Sequence, residues 1–221
     1  MMVGLRERKK QRTLEAICQT AITLMLERGF DSVSVTEIAE AAEVSKMTVF
    51  NYFPTKEDIV LSQIEDHAEE AAAVVRTRPG EESPLGALRR HFLEQVTVGD
   101  PAVGANSEDR VLAFTRLVVE TPSLMLRYTD QQLRAQHALT AALVEIPETD
   151  ELTAAVAAAQ IINVQRTLTG RNLARTLDGA APTRVRRTGI AEANAAFDLL
   201  ERGLATTGLA RPPIRKTSYL R

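Results

Sequence analysis

Between Ser34 and Asp58 the chain offers three helix starts in close succession, and that spacing constrains its fold more than any other feature. Ser34-Val35-Thr36-Glu37 and Thr55-Lys56-Glu57-Asp58 both carry the capping-box pattern. In that pattern a hydroxyl at the helix start accepts from a backbone N–H three residues on, and the acid at that position returns the bond. Asp58 takes the place of the usual Glu or Gln in the second box. Ser45 caps a helix between them. The spacing predicts a short helix over 35–42, a turn at Glu43-Val44 and a second helix over 46–53. Two short helices joined by so tight a turn must cross steeply, which is the helix-turn-helix arrangement.

The rest of the chain also reads as helix. Leu14, Ile17, Cys18, Ala21, Ile22 and Met25 recur at three- and four-residue spacing after a basic start, and Gly29 supplies the stop. Cys18 lies in this apolar stripe, as a small core residue. A longer helix is expected from Thr55 to about Arg76, broken by 77–83 with Pro79 and Gly80. Ser83-Pro84 opens a helix with Leu85, Leu88, Phe92 and Val96 on one side. Residues 99–106 read as a loop, Ser107 as the start of a helix holding Val111, Phe114 and Val118, and Thr121-Pro122 as the start of another reaching about Glu145. A long helix is expected over 150–178, stopped by Gly179. The last begins near Thr183 and aligns Ile190, Ala193, Phe197, Leu200 and Leu204. Aromatic residues are only 4% of the 221, and no strand pattern or repeat is visible. The expected fold is all-α with about nine helices: a helix-turn-helix domain with a basic N-terminal arm over 1–60, a helical ligand-binding and dimerisation domain over 61–209, and a flexible tail over 210–221.

The chemistry is concentrated in the second helix of the helix-turn-helix. Val49 and Phe53 are one turn apart and share a face that can pack on Ile38 and Ala41. Lys46, Met47, Phe50 and Asn51 then face outward, flanked by Thr48 and Tyr52, with Ser45 at the helix start. Ammonium, amide, hydroxyls and apolar groups side by side suit a DNA major groove, whose base edges offer acceptors, donors and thymine methyls. Lys46 suits guanine O6/N7, Asn51 suits adenine, and Met47 or Phe50 suits a thymine methyl. Thr36, Tyr52 and Lys56, with the backbone N–H groups near Val35 and Lys56, suit phosphates. The basic run Arg6, Arg8, Lys9, Lys10 and Arg12 is either a solvated arm or one that touches phosphate.

The stretch SVSVTEIAEAAEVSKMTVFNYFPTKEDIVL resembles the signature of the tetracycline-repressor (TetR) family, and with ERGFDSVSV before it the similarity covers about residues 10–60. The resemblance implies that Lys46, Met47, Thr48, Phe50, Asn51, Tyr52 and Lys56 face DNA and that the protein binds as a two-fold homodimer. Two positions depart from the pattern. The turn usually holds glycine where this chain has Glu43, and a side chain in the left-handed region costs about 1 kcal/mol. A tyrosine usually stands where Phe50 is, so a hydroxyl is missing.

The C-terminal half is less specific. RLVVETPSLMLRY and the final helix loosely resemble the mycofactocin-regulator and acyl-coenzyme-A-responsive branch, which implies a small, largely apolar effector. A pocket between helices is expected, with Phe92, Phe114 and Tyr128 as walls and Gln160, Asn163 and Thr167 as polar anchors. Phe92 and Phe114 also suit a plain core, and the three polar residues also suit solvent or a dimer rim. The last two helices, through stripes including Phe197 and Leu200, are expected to form the dimer as a four-helix bundle. An effector that moves the 55–76 helix would change the spacing of the reading heads, which is roughly 34–36 Å for adjacent major grooves.

Other classes fit less well. The formal net charge of −2 does not point to nucleic acid, so the basic character must be local. His67, His91 and His137 lack metal-ligand spacing, and no nucleophile–base pair or carboxylate pair is assembled, so neither an enzyme nor a cofactor is expected. An architectural DNA-coating protein and a protein-interaction module are the remaining rivals. One cysteine, no signal-peptide pattern and no run of about 18 apolar residues suit a cytoplasmic protein without a membrane segment. The reading is therefore a DNA-binding regulator, most simply a repressor released from a palindromic operator by its effector.

Overall fold

The computed structural model describes residues 5–62 and 69–210. The described residues contain ten α-helices and no strand: α1 Leu5–Arg28, α2 Val35–Ala41, α3 Lys46–Tyr52, α4 Lys56–Leu61, α5 Glu70–Thr77, α6 Pro84–Val98, α7 Asp109–Glu120, α8 Pro122–Val144, α9 Glu151–Leu177 and α10 Pro182–Gly203. The sequence predicts nine because it reads 55–76 as one helix. Here that span holds α4 and α5, and residues 63–68 between them lie outside the described residues, as do the tail from 211 and His67.

Predicted helix ends stand where local side chains define them. Ser34 and Thr55 both form complete capping boxes, with Glu37 and Asp58. Ser45, Ser83 and Asp150 each accept a backbone N–H from the first turn of α3, α6 and α9. Helix α7 starts at Asp109 rather than at Ser107, because Asn106 Oδ1 accepts the Glu108 N–H and turns the chain there. Helix α1 corrects the sequence reading at its other end. It begins at Leu5, so the basic run is helical and not an arm. Lys, Arg and Gln are good helix formers without any apolar stripe, and Arg8, Lys9, Lys10 and Arg12 are all exposed.

Two compact units emerge, with different boundaries from those expected. The first comprises residues 1–66 and 109–131, the second 67–108 and 132–221. Helices α1 to α4 of the first unit enclose Ile17, Cys18, Ala21, Met25, Ile38, Val49, Phe53 and Ile59, and the segment 109–131 adds Val118 and Leu124 to the same core. The second unit is centred on Leu85, Leu88, Phe92, Leu139, Leu143, Ile161 and Phe197. Phe197 is fully buried and Leu200 nearly so, which corrects their assignment to a dimer surface: both belong to the unit's own core.

The loop after α6 is fastened to α9 by buried polar groups. Asn172 Nδ2 donates to the Val103 carbonyl at 3.0 Å and Thr176 Oγ1 to that of Gly104 at 2.9 Å. Gly104 has φ 69°, and a Cβ there would lie 2.7 Å from the Thr169 carbonyl oxygen, so only glycine fits.

Candidate nucleic-acid interface

The turn between α2 and α3 is a Schellman motif. Val44 N–H donates to Ala39 O at 2.9 Å and Glu43 N–H to Glu40 O at 3.1 Å, which satisfies two carbonyls at the end of α2. Glu43 occupies the left-handed position with φ 54°, as expected from the missing glycine. At the other end of α2, the Glu37 carboxylate accepts the Ser34 backbone N–H and hydroxyl and pairs with Arg28 at 3.0 Å. Those bonds, the Ser34 backbone one first, hold its pKa below the usual range.

Helix α3 has two sharply different faces. Val49 is fully buried and Phe53, at its C-cap, is 5% exposed. Val44 packs against the same core from the turn. On the other side Met47 is 68% and Phe50 42% exposed, and Lys46 and Asn51 are exposed beside them. Lys46 Nζ lies 5.9 Å from the Phe50 ring centre, so the ammonium and the ring share one surface. Thr48 is half-buried, its hydroxyl 2.8 Å from that of Ser45, which also caps α3. Tyr52 is half-buried against Phe53, with ring centres 6.4 Å apart, and Thr36 is exposed on α2. An exposed methionine and phenylalanine flanked by an ammonium and an amide form a surface that water solvates poorly and that a groove of mixed base edges and methyls would cover.

Lys56 departs from its expected place. Its ammonium donates to the carbonyls of Phe30 at 2.7 Å and Val33 at 3.0 Å and lies 4.1 Å from the Phe30 ring centre. Two of its three donors are thus used to hold the α1–α2 connection against the start of α4. Sequence reasoning took it for a phosphate contact because a lysine at a helix start next to a reading head has no local signal for a tertiary acceptor. Arg127 of α8 was missed altogether: its guanidinium reaches Asp58 Oδ1 at 3.0 Å and Thr55 Oγ1 at 3.3 Å. No spacing rule links residues so far apart.

The six expected effector residues are divided between the two units. Phe114 and Tyr128 are half-buried in the first unit, Phe114 packed on its core. Phe92 is buried in the second unit, its ring 6.2 Å from that of Phe197. Gln160, Asn163 and Thr167 are exposed on α9, and Asn163 and Thr167 bond to carbonyls one turn back in their own helix. The second unit has an open groove of about 450 Å³, but its lining, from Gly86 to Val98, comes from α6 alone. No cluster of His, Cys, Asp or Glu suited to a metal occurs among the described residues. His91 instead faces Glu70 at 2.9 Å, and His137 is exposed.

Residues 17–62 match the model of the bacterial regulatory proteins of the tetR family. The helix-turn-helix is of the tetR type. Among curated relatives, this chain is 35% identical over 126 residues to the HTH-type transcriptional regulator TcmR of Streptomyces glaucescens, covering 57% of this chain and 56% of that protein. It is 43% identical over 53 residues to the HTH-type transcriptional regulator LuxR of Vibrio harveyi, covering 24% of each. The match thus spans little more than half of the first relative's length. The fold extends the likeness beyond that segment. The TetR-type architecture is shared with GusR of Salmonella enterica, at a TM-score of 0.55 and 18% identity over 89% of this chain and 96% of the other. It is shared equally with a TetR-family regulator from Streptomyces coelicolor A3, at 0.53 and 23% over 86% and 95%. No described helix is long and apolar enough to cross a membrane.

Proposed function

We propose that this protein is a TetR-type transcriptional regulator that reads a palindromic operator in double-stranded DNA as a homodimer and responds to a small, largely apolar effector. The carrying observation is the two-faced α3: Val49 and Phe53 are held in the core while Met47, Phe50, Lys46 and Asn51 stand outward. In this reading Lys46 and Asn51 hydrogen-bond base edges, Met47 and Phe50 cover thymine methyls, and Thr36, Ser45, Thr48 and Tyr52 meet the backbone. Lys56 acts chiefly by holding the start of α4, with one N–H left for a phosphate.

Dimerisation is assigned to α9 and α10, through residues other than those expected. Leu152 and Val156 are 74% and 45% exposed, and Gln160, Asn163 and Thr167 continue the same stripe along α9. On α10, Ala191, Ala195 and Leu199 form an exposed stripe at four-residue spacing. Small and apolar residues on two adjacent helices suit close packing on a symmetry mate. The three polar α9 residues thus read as a dimer rim and not as effector anchors. Repression is the default outcome, as in NalD of Pseudomonas aeruginosa, the secondary repressor of a multidrug efflux pump, with a TM-score of 0.53 and 16% identity over 89% of this chain and 97% of that one. In the same reading the C-terminal half resembles the mycofactocin-regulator and acyl-coenzyme-A-responsive branch, and the protein works in the cytoplasm.

Enrichment of bound duplexes from a random pool tests the reading. A two-fold symmetric site bound about 10³-fold or more tighter than random duplex is expected. Equal affinity for all duplexes would contradict it and favour an architectural protein.

A further inference from the structure

Arg127 joins α8 to the helix cap that follows the reading helix. Its Nη2 lies 3.0 Å from Asp58 Oδ1 and 3.3 Å from Thr55 Oγ1. Both acceptors already work within the capping box: Asp58 Oδ2 accepts the Thr55 N–H at 2.9 Å, and Thr55 Oγ1 accepts the Asp58 N–H at 3.2 Å. The guanidinium therefore grips the cap as a unit. Its helix is anchored there, because Leu124, one turn earlier on the same face of α8, is fully buried in the core that holds Val49 and Phe53. All these residues belong to the first unit.

The cap matters because of what precedes it. Helix α3 ends at Tyr52, its C-cap Phe53 is buried, and only Pro54 separates that anchor from Thr55. A seven-residue helix is about 10 Å long, so a small rotation about its Phe53 end displaces Lys46 at the other end. Recognition groups must be held within about 0.5 Å of their working positions. Resting on the DNA-reading function above, we infer that Arg127 is a positioning residue for operator recognition: it touches no base and sets the angle of α3 through the Thr55–Asp58 cap.

The test uses the full chain and the duplex that the wild-type protein enriches from a random pool. Arg127→Ala, Arg127→Lys, Asp58→Asn and the Ala/Asn double variant are compared for operator affinity, random-duplex affinity and cooperative unfolding. Arg127→Ala and Asp58→Asn are each expected to weaken operator binding about two- to fivefold without weakening random-duplex binding. The double variant should lose no more than the worse single one, and Arg127→Lys should recover most of the loss. Operator binding like the wild type's in folded Arg127→Ala, losses that multiply in the double variant, or equal losses on random duplex would each overturn the role. Should Arg127→Ala fail to fold, the other two decide: a loss in Asp58→Asn that Arg127→Lys lacks supports it, and any other result overturns it. If the wild type enriches no duplex, the DNA-reading function falls and takes this role with it. If it does and the variants read the site unchanged, only the role of Arg127 falls.

Discussion

Lys56 reaches back from the first turn of α4 to Phe30, donating to its carbonyl at 2.7 Å with the ammonium 4.1 Å from the centre of its ring. A second bond to Val33 O at 3.0 Å closes the clamp. The same lysine therefore fastens the α1–α2 connection to the start of α4. Lys56→Met is expected to lower unfolding free energy by about 1.5–3 kcal/mol, the range for hydrogen bonds to a charged group, as measured by urea titration. A phosphate contact would in addition reduce the salt slope of DNA binding by about one. Reduced stability together with a slope lowered by no more than about one is the expected outcome, and unchanged stability would contradict the clamp.

Glu43, at φ 54°, carries the strain that glycine would relieve. Glu43→Gly should be neutral to about 1 kcal/mol stabilising, since the left-handed penalty is removed while the unfolded chain gains freedom. Glu43→Val should destabilise. Thermal unfolding of the two variants separates these outcomes.

The two faces of α3 should respond oppositely. Val49→Ala removes buried methyls and is expected to cost about 1–2 kcal/mol of stability. Phe50→Ala should leave stability within about 0.5 kcal/mol and lower operator affinity. A large stability loss from Phe50→Ala would mean that its ring is part of the core.

Gly104 is wedged against α9, where a Cβ would meet Thr169 O at 2.7 Å and Leu173 N at 2.8 Å. Both are backbone atoms that cannot swing aside. Gly104→Ala should cost about 2–4 kcal/mol, read from denaturant unfolding.

Glu192 accepts from Arg171 at 2.7 Å and also pairs with Arg175, and these bonds, Arg171's first, pull its pKa down to about 2. A carboxylate depressed in the folded state stabilises above its unfolded pKa of about 4.3. This contribution should fade as pH falls from about 4.3 towards 2. Glu192→Gln should therefore lower stability at pH 7 and flatten that part of the acid limb. A parallel acid limb in the variant would contradict the assignment.

Helix caps, the left-handed turn and the inward face of α3 were legible in the sequence because each depends on residues within one or two turns. Ser34 with Glu37, Ser45 with Thr48, and Val49 with Phe53 are of this kind. The start of α1 was not legible, since Arg8 to Arg12 lack an apolar stripe although they favour helix. An apolar stripe also states that a face is buried without naming what covers it. Val118 and Leu124 therefore gave no sign of joining the N-terminal core, and Phe197 and Leu200 read as a dimer surface although they fill the interior. Partners remote in sequence, Lys56 with Phe30 and Arg127 with Asp58, had no local signal at all. Shared helical phase on α9 likewise placed Gln160, Asn163 and Thr167 together without telling that their face points outward.

Whether α3 turns Lys46 and Asn51 towards base edges is read from the duplexes that the wild type, Lys46→Ala and Asn51→Ala each enrich from a random pool. Each substitution should cost about 1–3 kcal/mol on the wild-type operator and release base choice at one position per half-site, a different position for each variant. Unaltered base preferences at every position, with affinity lowered uniformly or not at all, would contradict that orientation.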